Sequence, residues 1–147
     1  MKQATRVLIL LMAVMTCLVS CKGDEPVGKW DKMKWKLPDG LTREKSAYIV
    51  PASGGTFTFT CKNYGAPWLS SITDGTEYLY PVFLQDGAEE TEPDFHSFKC
   101  EWFEVRCVQA DVNITFAPLD SSTESRQMSV TVTAGDIFDT FTFIQRH

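Results

Sequence analysis

Apolar and polar residues take turns along most of this chain. Thr56–Cys61 alternates strictly, with Phe57, Phe59 and Cys61 on one side and three threonines on the other. That period of two is what a half-buried strand presents. It recurs at Val112, Ile114 and Phe116, at Met128, Val130 and Val132, and at Phe141 and Phe143. Met33, Trp35 and Leu37 oppose Lys32, Lys34 and Lys36, which reads as an edge strand whose lysines discourage sheet-to-sheet pairing. A basic stripe touching lipid headgroups is the competing reading. Tyr48–Val50 and Trp68–Ile72 supply two further short strands, with Trp68 expected to plug the core. If Phe98–Val108 is one strand, its apolar residues change face between Trp102 and Phe103, which implies a bulge there or burial on both sides. Pro38-Asp39-Gly40, Pro51–Gly55, Lys62–Pro67, Pro118–Ser125 and Ala134-Gly135-Asp136 punctuate the strands as turns and loops. Short strands at this spacing, without a sustained 3.6-residue period, predict an all-β, single antiparallel sandwich over residues 30–147.

The first 29 residues follow another pattern. Lys2 and Arg6 precede an apolar run from Val7 to Val19, too short for the ~20 residues of a membrane-spanning helix but laid out as a secretory signal over residues 1–20. The run closes on Leu18-Val19-Ser20-Cys21, which resembles the lipobox of a bacterial lipoprotein. The resemblance implies that Cys21 is acylated and becomes the mature N-terminus, with residues 21–29 as a tether. Lys22-Gly23-Asp24-Glu25 is similar to the acidic tags that send lipoproteins of Bacteroidetes-type bacteria to the cell surface; a plain solvated tether is the other reading. The expected location is the outer membrane, lipid-anchored and facing outward. A cleaved signal without lipid is the alternative.

Composition narrows the function. Removing residues 1–20 leaves 127 residues, enough for one domain. With Lys2 and Arg6 gone, the net charge moves from −5 to −7. Such an acidic body is poorly suited to nucleic acid, whose phosphates call for basic patches. Of five cysteines, Cys17 leaves with the signal and Cys21 takes lipid, so Cys61, Cys100 and Cys107 remain. On a single strand Cys100 and Cys107 would stand ~23 Å apart, far beyond the ~7 Å between Cα atoms that a bridge allows. Unless the segment folds back, any disulfide would therefore join Cys61 to Cys100 or to Cys107, and three buried free thiols are the alternative. These cysteines with His96 lack the close pair that seeds a zinc site, and no cofactor is implied.

Two stretches together resemble the BACON domain, an immunoglobulin-like module common in Bacteroidetes lipoproteins and glycan-degrading enzymes. The first is Val50-Pro51-Ala52-Ser53-Gly54-Gly55-Thr56 with its strand and Trp68 after the turn. The second is Arg126 before Met128–Thr133, the Gly135-Asp136 turn, and a last strand ending Phe143-Ile144-Gln145. The resemblance covers about residues 48–146. The chain departs from it at Ala117-Pro118-Leu119-Asp120, where the family usually has asparagine, and in its longer, more aromatic middle. The resemblance implies an immunoglobulin-like sandwich and carbohydrate or mucin binding, or a spacer role.

Candidate chemistry is confined to aromatic crowding. Tyr78, Tyr80, Phe95 and Trp102 are candidates for a ligand platform, because rigid amphipathic rings offer flat faces to sugar C–H groups. Tyr78, Tyr80 and Phe95 flank loops and are expected to be the exposed ones. Glu89–Asp94 supplies carboxylates that calcium favours, but without preformed ligand spacing it reads as a solvated acidic loop. His96 lies near Asp94 and Ser97 in sequence, yet neighbours on a strand alternate faces, so no triad follows. The sequence therefore predicts a non-catalytic binding lipoprotein recognising glycan, mucin or glycoprotein. A structural or assembly partner in an envelope protein complex is the alternative.

Overall fold

The structure, a computed structural model, describes residues 30–80 and 94–147. The signal over 1–20, Cys21, the tether over 21–29 and the acidic run up to residue 93 lie outside the described residues. Eleven strands and no helix occur among the described residues: β1 Trp35–Lys36, β2 Thr42–Glu44, β3 Ala47–Pro51, β4 Gly55–Cys61, β5 Trp68–Thr73, β6 Tyr78–Tyr80, β7 Ser97–Lys99, β8 Phe103–Val108, β9 Asp111–Phe116, β10 Ser125–Thr133 and β11 Phe138–Arg146. They form a five-stranded sheet in the order β1-β4-β9-β8-β7 and a six-stranded sheet in the order β2-β3-β11-β10-β5-β6. The two pack as a sandwich.

The alternating rows meet in the interior as their period dictates. Phe59, Val112, Ile114, Met128, Val130, Val132 and Phe143 are fully buried. Phe59 lies 4.5 Å from Phe141 and 5.8 Å from Phe143 between ring centroids, Tyr48 5.2 Å from Phe59, and Phe116 5.4 Å from Phe143. Such pairs add ~0.5–1.5 kcal/mol each beyond the area they bury. Contacts across the sandwich also fix its sides. Trp35 meets Phe141 at 4.9 Å, so β1 lies on the β3–β11 side. Tyr80 meets Phe98 at 6.2 Å, so β6 and β7 share the opposite side.

Four expectations change. Not every neighbour is antiparallel, since β3 runs parallel to β11, pairing Tyr48 with Phe143 and Val50 with Gln145. After β3, Gly54 (φ 70°) and Gly55 (φ 142°) turn the chain out of this sheet and into the other. Phe98–Val108 is not one bulged strand but the hairpin β7–β8, with the turn at Cys100–Trp102. Folding back does not make a disulfide: Cys61, Cys100 and Cys107 are all free. Strand β9 separates Cys61 on β4 from Cys107 on β8, or two strand spacings of ~4.8 Å each, and Cys100 lies farther still. Finally, Trp68 does not plug the core. Its partner is outward-facing Thr133, while Leu69 and Ile72 face inward, three positions apart, because a register shift beside them adds a residue.

Candidate binding face

The four aromatic candidates do not come together. Tyr78 is 69% exposed and Phe95 50%, whereas Tyr80 is only 5% exposed. Tyr80 belongs to the core, because a register shift in the β5–β6 pairing sets it opposite buried Ile72 and Tyr78 opposite Thr73. Its hydroxyl is buried and has no hydrogen-bond partner among the described residues, and burial, with Asp94 and Cys107 nearby, raises its pKa. Phe95 lies beyond β7, where the β7–β8 register continues to set it across from exposed Val108. His96 stands one residue further in. Asp94 accepts the His96 backbone N–H and the Ser97 hydroxyl rather than meeting the imidazole, so these three residues make a turn and not a catalytic set.

Trp102 is held by a clamp at one end of the sandwich. The Arg126 guanidinium lies 4.3 Å over its ring, donates from Nη2 to the Ala117 carbonyl at 2.6 Å, and from Nε to Gln145 Oε1 at 2.8 Å. Gln145, with no exposed surface, shares its amide N–H groups among the carbonyls of Pro51, Ala52 and Ala117 at 3.0–3.3 Å. Arg126, Gln145 and the Pro51–Ala52 turn thus converge here, where they tie two turns and the ends of β10 and β11 together. A cation already stacked on Trp102 occupies the ring face a sugar would need.

A different face collects exposed rings. On the outer side of the six-stranded sheet, backbone pairing aligns Trp68, Thr133 and Phe138 in one row, Ser71, Thr131 and Thr140 in the next, and Tyr78, Thr73, Ser129 and Thr142 in a third. Rows stand ~7 Å apart along the strands. Phe138 is 59% exposed, and Thr133 between the two rings is buried although it faces outward. The hydroxyls of Ser129 and Thr142 meet at 3.0 Å and those of Thr131 and Thr140 at 2.9 Å. A hydroxyl field therefore lies between rings at two ends. The five-stranded sheet has matching pairs, Thr56 with Thr115 and Thr58 with Asn113. It continues into Lys99, Glu104 and Arg106, however, where ion pairs and hydrogen bonds hold the Glu104 carboxyl below its ordinary range. Rings beside hydroxyls distinguish one face from the other. Phe138 is exposed and Trp68 half-buried on this face. The signal available for Phe138 was its place on the threonine side of its own alternation, whereas Trp68 shares parity with buried Ile72.

Among the described residues no group of His, Cys, Asp and Glu could hold a metal ion, and no helix is long and apolar enough to cross a membrane. No protein-family model matches the chain, nor does any curated protein. One solved structure does: a protein from Bacteroides thetaiotaomicron determined by NMR, 29% identical, with a TM-score of 0.64, covering 86% of this chain and 97% of that one.

Proposed function

We propose that this protein is an outer-membrane lipoprotein, anchored through acylated Cys21, that binds glycan or glycoprotein without catalysis through the outer face of its six-stranded sheet. The observation that carries the reading is the alignment of Trp68 and Phe138, from separate strands, on the edge of a field of Ser and Thr hydroxyls. Rings offer flat apolar surface, and hydroxyls on a rigid sheet offer donors and acceptors at little ordering cost. What supports an immunoglobulin-like assignment is the strand order. β1-β4-β9-β8 corresponds to A-B-E-D and β11-β10-β5 to G-F-C of that architecture. The BACON resemblance, resting on Pro51–Gly55, Arg126 and Gln145, supports the same reading.

A glycan array and a mucin pull-down test it. Wild type binds, and Trp68→Ala with Phe138→Ala weakens binding by at least ~30-fold, the scale of a hot-spot loss of ~2 kcal/mol, while the thermal midpoint holds. Tyr80→Ala is unsuited to this test because it would open the core. No binding by wild type, or equal binding by the double variant, refutes the proposal. The assembly-partner reading draws on the exposed apolar pair Phe95 and Val108; a partner that co-purifies without sugar and is lost in Phe95→Ala favours it.

A further inference from the structure

The charges of the described body are unevenly divided. Residues 30–62 carry Lys32, Lys34, Lys36, Arg43, Lys45 and Lys62 against Asp31, Asp39 and Glu44, a net of +3, whereas the rest of the described chain sums to −6. The fold gathers most of these cations on one side. β1 and β2 are edge strands of different sheets, and the sandwich contacts set both edges on the same side. Lys32, Lys34, Lys36, Arg43 and Lys45 are all exposed there, and none of them is in an ion pair among the described residues; Glu44 is taken by Arg146. Two exposed apolar side chains, Trp30 and Leu37, bracket the lysines. The segment is fixed in place rather than loose. Asn63 accepts the Lys34 backbone N–H at 2.8 Å and donates to the Lys32 carbonyl at 3.0 Å, and the Tyr64 hydroxyl donates to the Asp31 carbonyl at 2.6 Å.

We infer that this edge, Trp30 to Leu37 with Arg43 and Lys45, rests on an anionic lipid headgroup surface. The inference deepens the anchored reading proposed above. Cys21 precedes Trp30 by nine residues, a reach of at most ~30 Å, so an acylated Cys21 keeps the edge close to lipid. Cations then meet anionic headgroups while Trp30 and Leu37 enter the interfacial zone, where Trp in particular settles. The acidic remainder is repelled from the same surface, so the body stands with a defined side down. The guarded-edge reading accounts for the lysines but not for the exposed Trp30 and Leu37 beside them.

The test uses the chain from Cys21 onward carrying Cys21→Ser, which takes no acyl chain. Sedimentation with vesicles of phosphatidylglycerol and phosphatidylethanolamine is compared with pure phosphatidylcholine. Binding to the anionic vesicles is expected, falling ~5-fold for each lysine removed and disappearing in the Lys32→Glu, Lys34→Glu, Lys36→Glu triple variant. Lys99→Glu, on the far edge, serves as the control and leaves binding unchanged. Raising salt toward 1 M, where screening shortens from ~10 Å to ~3 Å, releases the protein. Equal binding to both vesicle types, an unaffected triple variant, or binding to an acidic polysaccharide but not to vesicles overturns the inference. Mass analysis of Cys21 in the cell-made protein tests the anchor separately, so each reading can fail alone.

Discussion

Replacing Gln145 probes the clamp that joins the two turns to β10 and β11. Gln145→Leu keeps the volume but removes an acceptor from Arg126 Nε and a donor from the carbonyls of Pro51, Ala52 and Ala117. Four lost bonds at ~1 kcal/mol each would suggest ~4 kcal/mol. The structure reduces that figure. Pro51 O still accepts from Gly54 N at 2.9 Å, Ala52 O from Leu119 N at 2.7 Å, and Ala117 O from Arg126 Nη2. The half-buried guanidinium nitrogen is the group left without an acceptor. A net loss of ~2 kcal/mol is expected, read as a lower urea midpoint with an unchanged slope. Gln145→Glu sharpens the test. One carboxylate oxygen would keep the Arg126 Nε–H, which favours the charge, but the other would face three carbonyl oxygens in a site closed to water. That repulsion with desolvation outweighs the guanidinium and raises the pKa in the folded state. Below the unfolded-state value of ~4.3 both states are protonated and the variant is least penalised; the penalty grows as pH rises through the unfolded value toward the folded one. Gln145→Glu should therefore lose stability relative to wild type between acidic and neutral pH. A Gln145→Leu cost below ~0.5 kcal/mol, or a Gln145→Glu variant as stable as wild type at pH 7, would refute this account.

Two further outcomes check other parts of the fold. A Cβ on Gly54 (φ +70°) would clash with the Phe116 carbonyl oxygen, whereas Gly135 (φ +89°) faces open space. Gly135→Ala should therefore cost only the ~1 kcal/mol of left-handed backbone, and Gly54→Ala several times more in the same chemical melt. Burial pushes the Cys107 thiol up to about 12. It should resist thiol reagents in the native protein at pH 8, and the stability it contributes should be fully present below the unfolded thiol range near ~8.5 and lost as pH rises from there toward about 12. Rapid native labelling of Cys107 would contradict this.

The core was legible because its signal is local. Alternation alone identifies Phe57, Phe59, Val112, Ile114, Met128, Val130 and Phe143 as inward-facing, since side-chain direction in a strand depends only on position parity. Trp68 and Tyr80 were misread because one extra residue beside each pairing flips parity, and register shifts leave little trace in composition. The β7–β8 hairpin was missed because Cys100-Glu101-Trp102 contains no glycine, proline or asparagine to announce a turn. Long-range partnerships, such as β3 with β11 and Arg126 with Trp102, join residues tens of positions apart. Nothing in either segment alone encodes the meeting.

β11 is last in chain order yet stands inside its sheet, between β3 and β10. β3 can pair with β2 and β10 with β5 before it is made, but these two halves of the sheet join only when β11 enters between them. The six-stranded sheet therefore stays in two halves until its central strand is in place.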